Sequence, residues 1–116
     1  MDSDIDAWLP LPPAALHILL ALAGEERHGY GITKEIERQS DGRYKLGPGT
    51  LYDNLHKLLE DGVVEESEGN SLTENSRRRY YRLTAFGRGL LAAEVSRLEK
   101  LLRQAKAHLK PANFRV

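Results

Sequence analysis

The chain has 116 residues, 41% of them hydrophobic, with no cysteine and with 17 basic residues balanced by 17 acidic ones. That length suits one domain with a small core, and the absence of thiols excludes a disulfide framework, thiolate chemistry and a cysteine-based zinc site. No apolar run approaches the roughly 20 residues that span a bilayer, and the acidic start MDSDIDAWLPLPP is neither a signal nor a transit peptide, so a reduced, cytoplasmic setting away from the membrane is expected.

The first predicted helix is PPAALHILLALA, residues 12–23, opened by proline and stopped at Gly24. Its apolar residues, Leu16, Ile18, Leu19, Leu20 and Leu22, occupy nearly the whole circumference. Such a helix is buried on two sides, by the core and by a partner subunit. A second helix is predicted over residues 29–40, with Tyr30, Ile32 and Ile36 apolar, closed by Asp41 and Gly42. After the turn GRYKLG, a third helix runs over residues 48–61 with Leu51, Leu55, Leu58 and Leu59 on its buried face, and Gly62 ends it.

VVEES and RRRYYRL, separated by the polar loop EGNSLTENS, read as two strands of a β-hairpin. Tyr81 and Leu83 share one face of the second strand, Tyr80 and Arg82 the other. Thr84 is the predicted N-cap of a long final helix, residues 85–109. Leu91, Val95, Leu98, Leu102, Ala105 and Leu109 follow the alternating three- and four-residue steps of a coiled-coil seam, and are expected to dimerise. The expected fold is mainly α with a small β-hairpin: a winged helix-turn-helix domain plus a long C-terminal dimerisation helix. Its boundaries are an N-terminal extension (1–11), the winged domain (12–84), the dimerisation helix (85–110) and a tail (111–116).

The neutral total hides a segregation of charge. Residues 1–26 carry five acids and no base, residues 60–76 six acids and no base, and residues 77–116 eleven bases against two acids. A local basic face steers association with phosphate whatever the average. On the third helix, burying the leucines turns Gly49, Asp53, His56 and Glu60 outward, flanked by Thr50 and Lys57 on one side and Tyr52 on the other. Glycine and threonine leave the N-terminal N–H groups open to a phosphate, and Thr50 and Tyr52 add hydroxyls. Asp53 either accepts a hydrogen bond from a cytosine amino group or stays clear of the backbone. Arg77, Arg78 and Arg79 lie on the wing, and Lys45 and Arg43 lie in the turn before the helix. The bland alternative makes Gly-Pro-Gly a helix start and Tyr52 a core boundary; the basic wing favours nucleic acid.

These residues resemble a family. HGYGI at 28–32, GPGTLYDNLHKLLEDGVVEE at 47–66 and RRRYYRLTAFGRGLL at 77–91 are similar in order and spacing to the PadR family of bacterial transcriptional regulators. The resemblance implies a winged-helix repressor that dimerises through its C-terminal helix, binds a palindromic double-stranded DNA operator, and releases it on binding a small aromatic or drug-like effector. It places Gly49, Thr50 and Tyr52 at the DNA contact and Arg77 to Arg79 on the wing, and the single final helix resembles the short subfamily. Asp53 departs from the family, where many members have proline. The stretch between Arg88 and His108 lacks the aromatic residue on which some members stack ligands.

Two rivals remain. An enzyme is disfavoured because His17, His28, His56 and His108 are scattered without metal-ligand spacing, and neither glycine-rich stretch is a phosphate loop; no catalytic residue, metal or cofactor is expected. A winged helix used only for protein contact fits the heptad seam and the two-sided first helix equally well, and the basic wing beside a polar third helix is what separates the two. Trp8, the sole tryptophan, is expected to pack on the partner's final helix and is the one candidate for effector binding.

Overall fold

A computed structural model describes residues 5–68 and 79–109. Proline opens α1 (Pro13–Leu22), whose buried side chains are Ala15, Ile18, Leu19, Ala21 and Leu22. Leu16 and Leu20, on its other side, are only partly buried against the same core. β1 (Arg27–His28) follows, and His28 then caps α2 (Gly29–Gln39) by accepting the Gly31 N–H at Nδ1, 3.0 Å away. α2 buries Ile32 and Ile36. Contrary to the sequence expectation, Tyr30 does not join that apolar face: it stands 63% exposed at the first turn.

α3 (Pro48–Glu60) has proline at its start and buries Leu51, Leu55 and Leu58. The chain reverses at Gly62 (φ 74°), whose N–H returns to the Leu59 carbonyl at 3.1 Å. β2 (Val64–Ser67) and β3 (Tyr80–Leu83) pair antiparallel, with Val64 opposite Leu83 and Glu66 opposite Tyr81. The expected alternation holds, with Tyr81 and Leu83 buried and Arg82 exposed. The hairpin carries a third strand that the sequence did not announce. β1 pairs with the free edge of β3, Arg27 opposite Tyr81 and His28 opposite Tyr80, giving the order β1-β3-β2. Two residues are too few to show any period, and pairing an open edge satisfies its backbone groups.

Thr84 caps α4 (Ala85–His108), accepting the Gly87 N–H at 2.9 Å. Its hydroxyl also donates to the Gly62 carbonyl at 2.6 Å, which joins the end of α3 to the start of α4. Gly87 is needed here because a Cβ would collide with the Val63 carbonyl oxygen. α1, α2 and α3 pack around Ile18, Leu19, Leu22, Ile36, Leu51 and Leu55, with Val63, Val64 and Leu90 closing the core. Each such side chain stabilises by roughly 1.5–3 kcal/mol relative to leaving it exposed.

The segment before α1 is an arm laid on this domain. Leu11 is buried, and its N–H donates to Glu94 Oε2 at 3.0 Å. Trp8 meets Phe86 of its own α4 edge-on, with ring centroids 6.0 Å apart. No helix among the described residues is long and apolar enough to cross a membrane.

Candidate nucleic-acid interface

The third helix presents its N-terminal end without obstruction. Gly47 caps it without a side chain, no acid lies in its first turn, and Gly49 and Thr50 are exposed. The positive pole of the helix and its unpaired N–H groups therefore face solvent. Because Leu51, Leu55 and Leu58 are spent on the core, Tyr52, Asp53, His56 and Lys57 are left outside. Tyr52 is half exposed (49%) and lies across the start of α2, close enough that a Cβ at Gly29 would strike its hydroxyl. The His-Gly-Tyr and Thr-Leu-Tyr stretches are thus two halves of one surface.

Around Tyr52, residues His28, Gly29, Tyr30, Arg79 and Tyr81 line a cleft of about 250 Å³. Burial pushes the Tyr81 phenol above its ordinary pKa of 10.0, so it is neutral across the physiological range. Lys34 places its Nζ 5.6 Å from the centre of the Tyr30 ring. Neither Tyr30 nor Lys34 was singled out from sequence. The available signal was a tyrosine in the first turn of a short helix, far round the circumference from Ile32.

Ion pairing decides which cations are open. Arg38 grips Glu35 in a bidentate contact (3.0 and 2.6 Å), Gln39 adds a hydrogen bond, and Arg27 lies 3.7 Å away. The Arg38 hydrogen bond chiefly, with burial opposing it, holds the Glu35 carboxyl down to about 2. Arg27 also donates from Nε to the Ala21 carbonyl at 2.7 Å, so both arginines are engaged in structure. On the wing, Arg82 pairs with Glu65 at 2.8 Å and Arg79 with Glu66 at 3.3 Å. His56 turns to Glu60 on its own helix, 3.2 Å away. Arg43, Lys45 and Lys57 form no ion pair with a described residue, and neither does Asp53. Arg77 and Arg78 lie outside the described residues.

The six residues of the predicted dimer seam divide. Leu91 is buried in the domain's own core and Leu98 is half-buried. Val95, Leu102, Ala105 and Leu109 are exposed, joined by Leu101, which the seam omitted. All residues from 99 to 109 are exposed, so among the described residues nothing covers the last turns of α4.

The sequence matches the model of the "Transcriptional regulator PadR-like family" over residues 18–93. It is 38% identical over 89 residues to transcriptional regulator Rv3488 of Mycobacterium tuberculosis, covering 77% of this chain and 78% of that one. Among solved structures, a transcriptional regulator from Clostridium thermocellum superposes with a TM-score of 0.67 at 24% identity, over 95% of this chain and 98% of the other. Bacillus subtilis PadR, solved in complex with operator DNA, superposes with a TM-score of 0.61 at 23% identity, over 72% of this chain and 47% of its own. At those identities the two structures attest the fold.

Proposed function

Since the chain belongs to the PadR-like family of transcriptional regulators, and so regulates transcription rather than catalysing a reaction, we propose that it is a repressor that binds a palindromic DNA operator as a homodimer. It works on DNA in the cytoplasm and is released by a small aromatic or drug-like effector. The observation that carries the DNA reading is the start of α3: an acid-free, glycine-capped helix end with Gly49, Thr50 and Tyr52 exposed. Arg79 lies in the adjoining cleft, and Arg43 and Lys45, which form no ion pair with a described residue, precede the helix. In this reading α3 enters the major groove, the helix before it crosses the backbone, and the wing cations meet phosphate. Tyr30 and Lys34 then stand beside the backbone at the start of α2. Asp53 and the His56–Glu60 pair lie further along α3, so the acids fall away from the phosphate-facing end.

The dimer follows from α4. An isolated helix of fewer than about 12 residues is marginal in water, and the exposed leucines beyond Arg97 have no cover among the described residues. A second copy of the same seam supplies it and sets two α3 helices at the separation a palindrome requires.

The test is affinity for a duplex carrying the chain's own promoter, measured over a salt series. A steep log–log dependence is expected, losing about 0.9 in slope for each phosphate contact removed. A flat response, or no preference for that duplex over bulk DNA, overturns the repressor and leaves a protein-contact module.

A further inference from the structure

On the flank of α3 away from the wing, a cleft of about 380 Å³ lies between that helix, α1 and the N-terminal arm. This falls within the range of small-molecule sites. Its walls are apolar: Trp8, Pro10 and Pro12 from the arm, Ala15 from α1 and Leu58 from α3. Its polar edge is a single row on α3, Asn54, Lys57 and Asp61. We propose that this cleft binds a small, flat, uncharged aromatic molecule that carries a hydrogen-bond donor beside an acceptor on one edge, as an aryl amide does. The proposal deepens the effector reading above by giving the effector a place and a chemical class.

The charge pattern selects the class. Lys57 and Asp61 sit one turn apart, and neither pairs with the other or with any described residue. The edge therefore offers one donor and one acceptor of opposite charge with no net charge. An ion entering beside Trp8, Pro10 and Leu58 loses hydration that this balanced edge does not replace. A neutral donor–acceptor edge meets Lys57 and Asp61 together. Asn54 uses Nδ2 on the Thr50 carbonyl at 2.9 Å, which leaves its Oδ1 as a further acceptor.

The cleft is preformed and wired to two distant surfaces. Glu94 holds the arm at Leu11 and Phe86 holds it at Trp8, so the outer wall is fastened to α4. Glu94 is fully buried, gripped by Arg97 in two contacts (2.6 and 2.9 Å). The inner wall is α3 itself, and Asn54 joins the cleft to Thr50 at the proposed DNA face. An occupant bonded to Asn54 or Lys57 changes the free energy of that face, and by linkage DNA changes the affinity for the occupant by the same factor.

The experiment uses the full-length, isotope-labelled protein without DNA and three isosteric probes: benzamide (neutral), benzoate (anionic) and benzamidine (cationic). Benzamide is expected to shift the Trp8 indole and Asn54 side-chain amide resonances saturably, with both charged probes about tenfold weaker. In Asp61→Asn the edge becomes cationic, and benzoate should then bind more tightly than benzamide. Equal binding of all three probes, shifts confined to the far half of α4, or no shifts up to the solubility of benzamide would each overturn the assignment. So would an unchanged preference in Asp61→Asn. Because the readout needs no DNA, its failure leaves the operator reading standing, and loss of the operator reading leaves a ligand site.

Discussion

Leu90 and Leu102 lie on one continuous helix, yet they have opposite surroundings. Around Leu90, α4 is part of the winged domain: Gly87 touches the Val63 backbone, Leu91 joins the core, and Glu94 ties down the arm. Around Leu102, more than half exposed, α4 carries leucines with no described residue of this chain opposite them. The helical hydrogen bonding and the apolar spacing are the same in both halves. The difference teaches that an apolar repeat specifies a surface to be covered, while its position in the fold decides whether the cover comes from the same chain.

The contrast breaks most sharply at Leu90. Leu90→Ala should cost about 2–5 kcal/mol of unfolding free energy in a denaturant titration, as a buried cavity does; a cost below 1 kcal/mol would show that the near half is not core. Leu102→Lys should leave the circular-dichroism signature of the winged domain in place and yield monomers in sedimentation, with operator affinity falling alongside. If that variant sediments as a dimer, the far half is not the interface.

Glu94 and Glu35 sharpen the comparison through pH. Both carboxyls are held below their ordinary value of 4.5, chiefly by hydrogen bonds from Arg97 and Arg38 respectively. A depressed folded-state pKa contributes stability that is full above the unfolded value and is lost as pH falls through the folded one. Stability should therefore drop on acidification below pH 4.5, with the Glu35 share disappearing toward about 2. Glu94→Gln should cost about 1–3 kcal/mol at neutral pH and flatten the acid limb; an acid limb identical to the native protein's would remove Glu94 from the account. The smallest effect belongs to Arg79→Ala, which should lower the salt slope of operator binding by about 0.9 while sparing sequence preference. A changed preference with an unchanged slope would instead make Arg79 a base reader.

Much of the fold was visible in the chain as written. The leucine spacing on α3 predicted the burial of Leu51, Leu55 and Leu58, with Leu59 only partly covered, the Tyr81/Leu83 alternation predicted theirs, and Thr84 predicted the helix start, because local period and local capping are one-dimensional properties. β1 was not visible, since two residues acquire strand character only from the edge they join. Tyr30 misled as an apolar letter: its place in the first turn of α2 turns it away from Ile32. Trp8 and Leu11 were assigned to an extension, although their partners Phe86 and Glu94 lie on α4 at the other end of the chain.

The same division holds for the candidate site. The residue types suited to phosphate were legible, and so was their place on α3 and the wing. Which of them are open was not. Arg27 and Arg38 are spent on Glu35, His56 and Arg79 sit in solvent-exposed pairs with Glu60 and Glu66 that water screens, and Arg43, Lys45 and Lys57 have no described partner. Hydropathy, caps and motif order thus determined the elements, the winged topology and the side of α3 that faces out. Only the tertiary structure decided the third strand, the docking of the arm, the cleft behind α3 and the point where α4 leaves its own domain, because each depends on contacts between residues far apart in the chain.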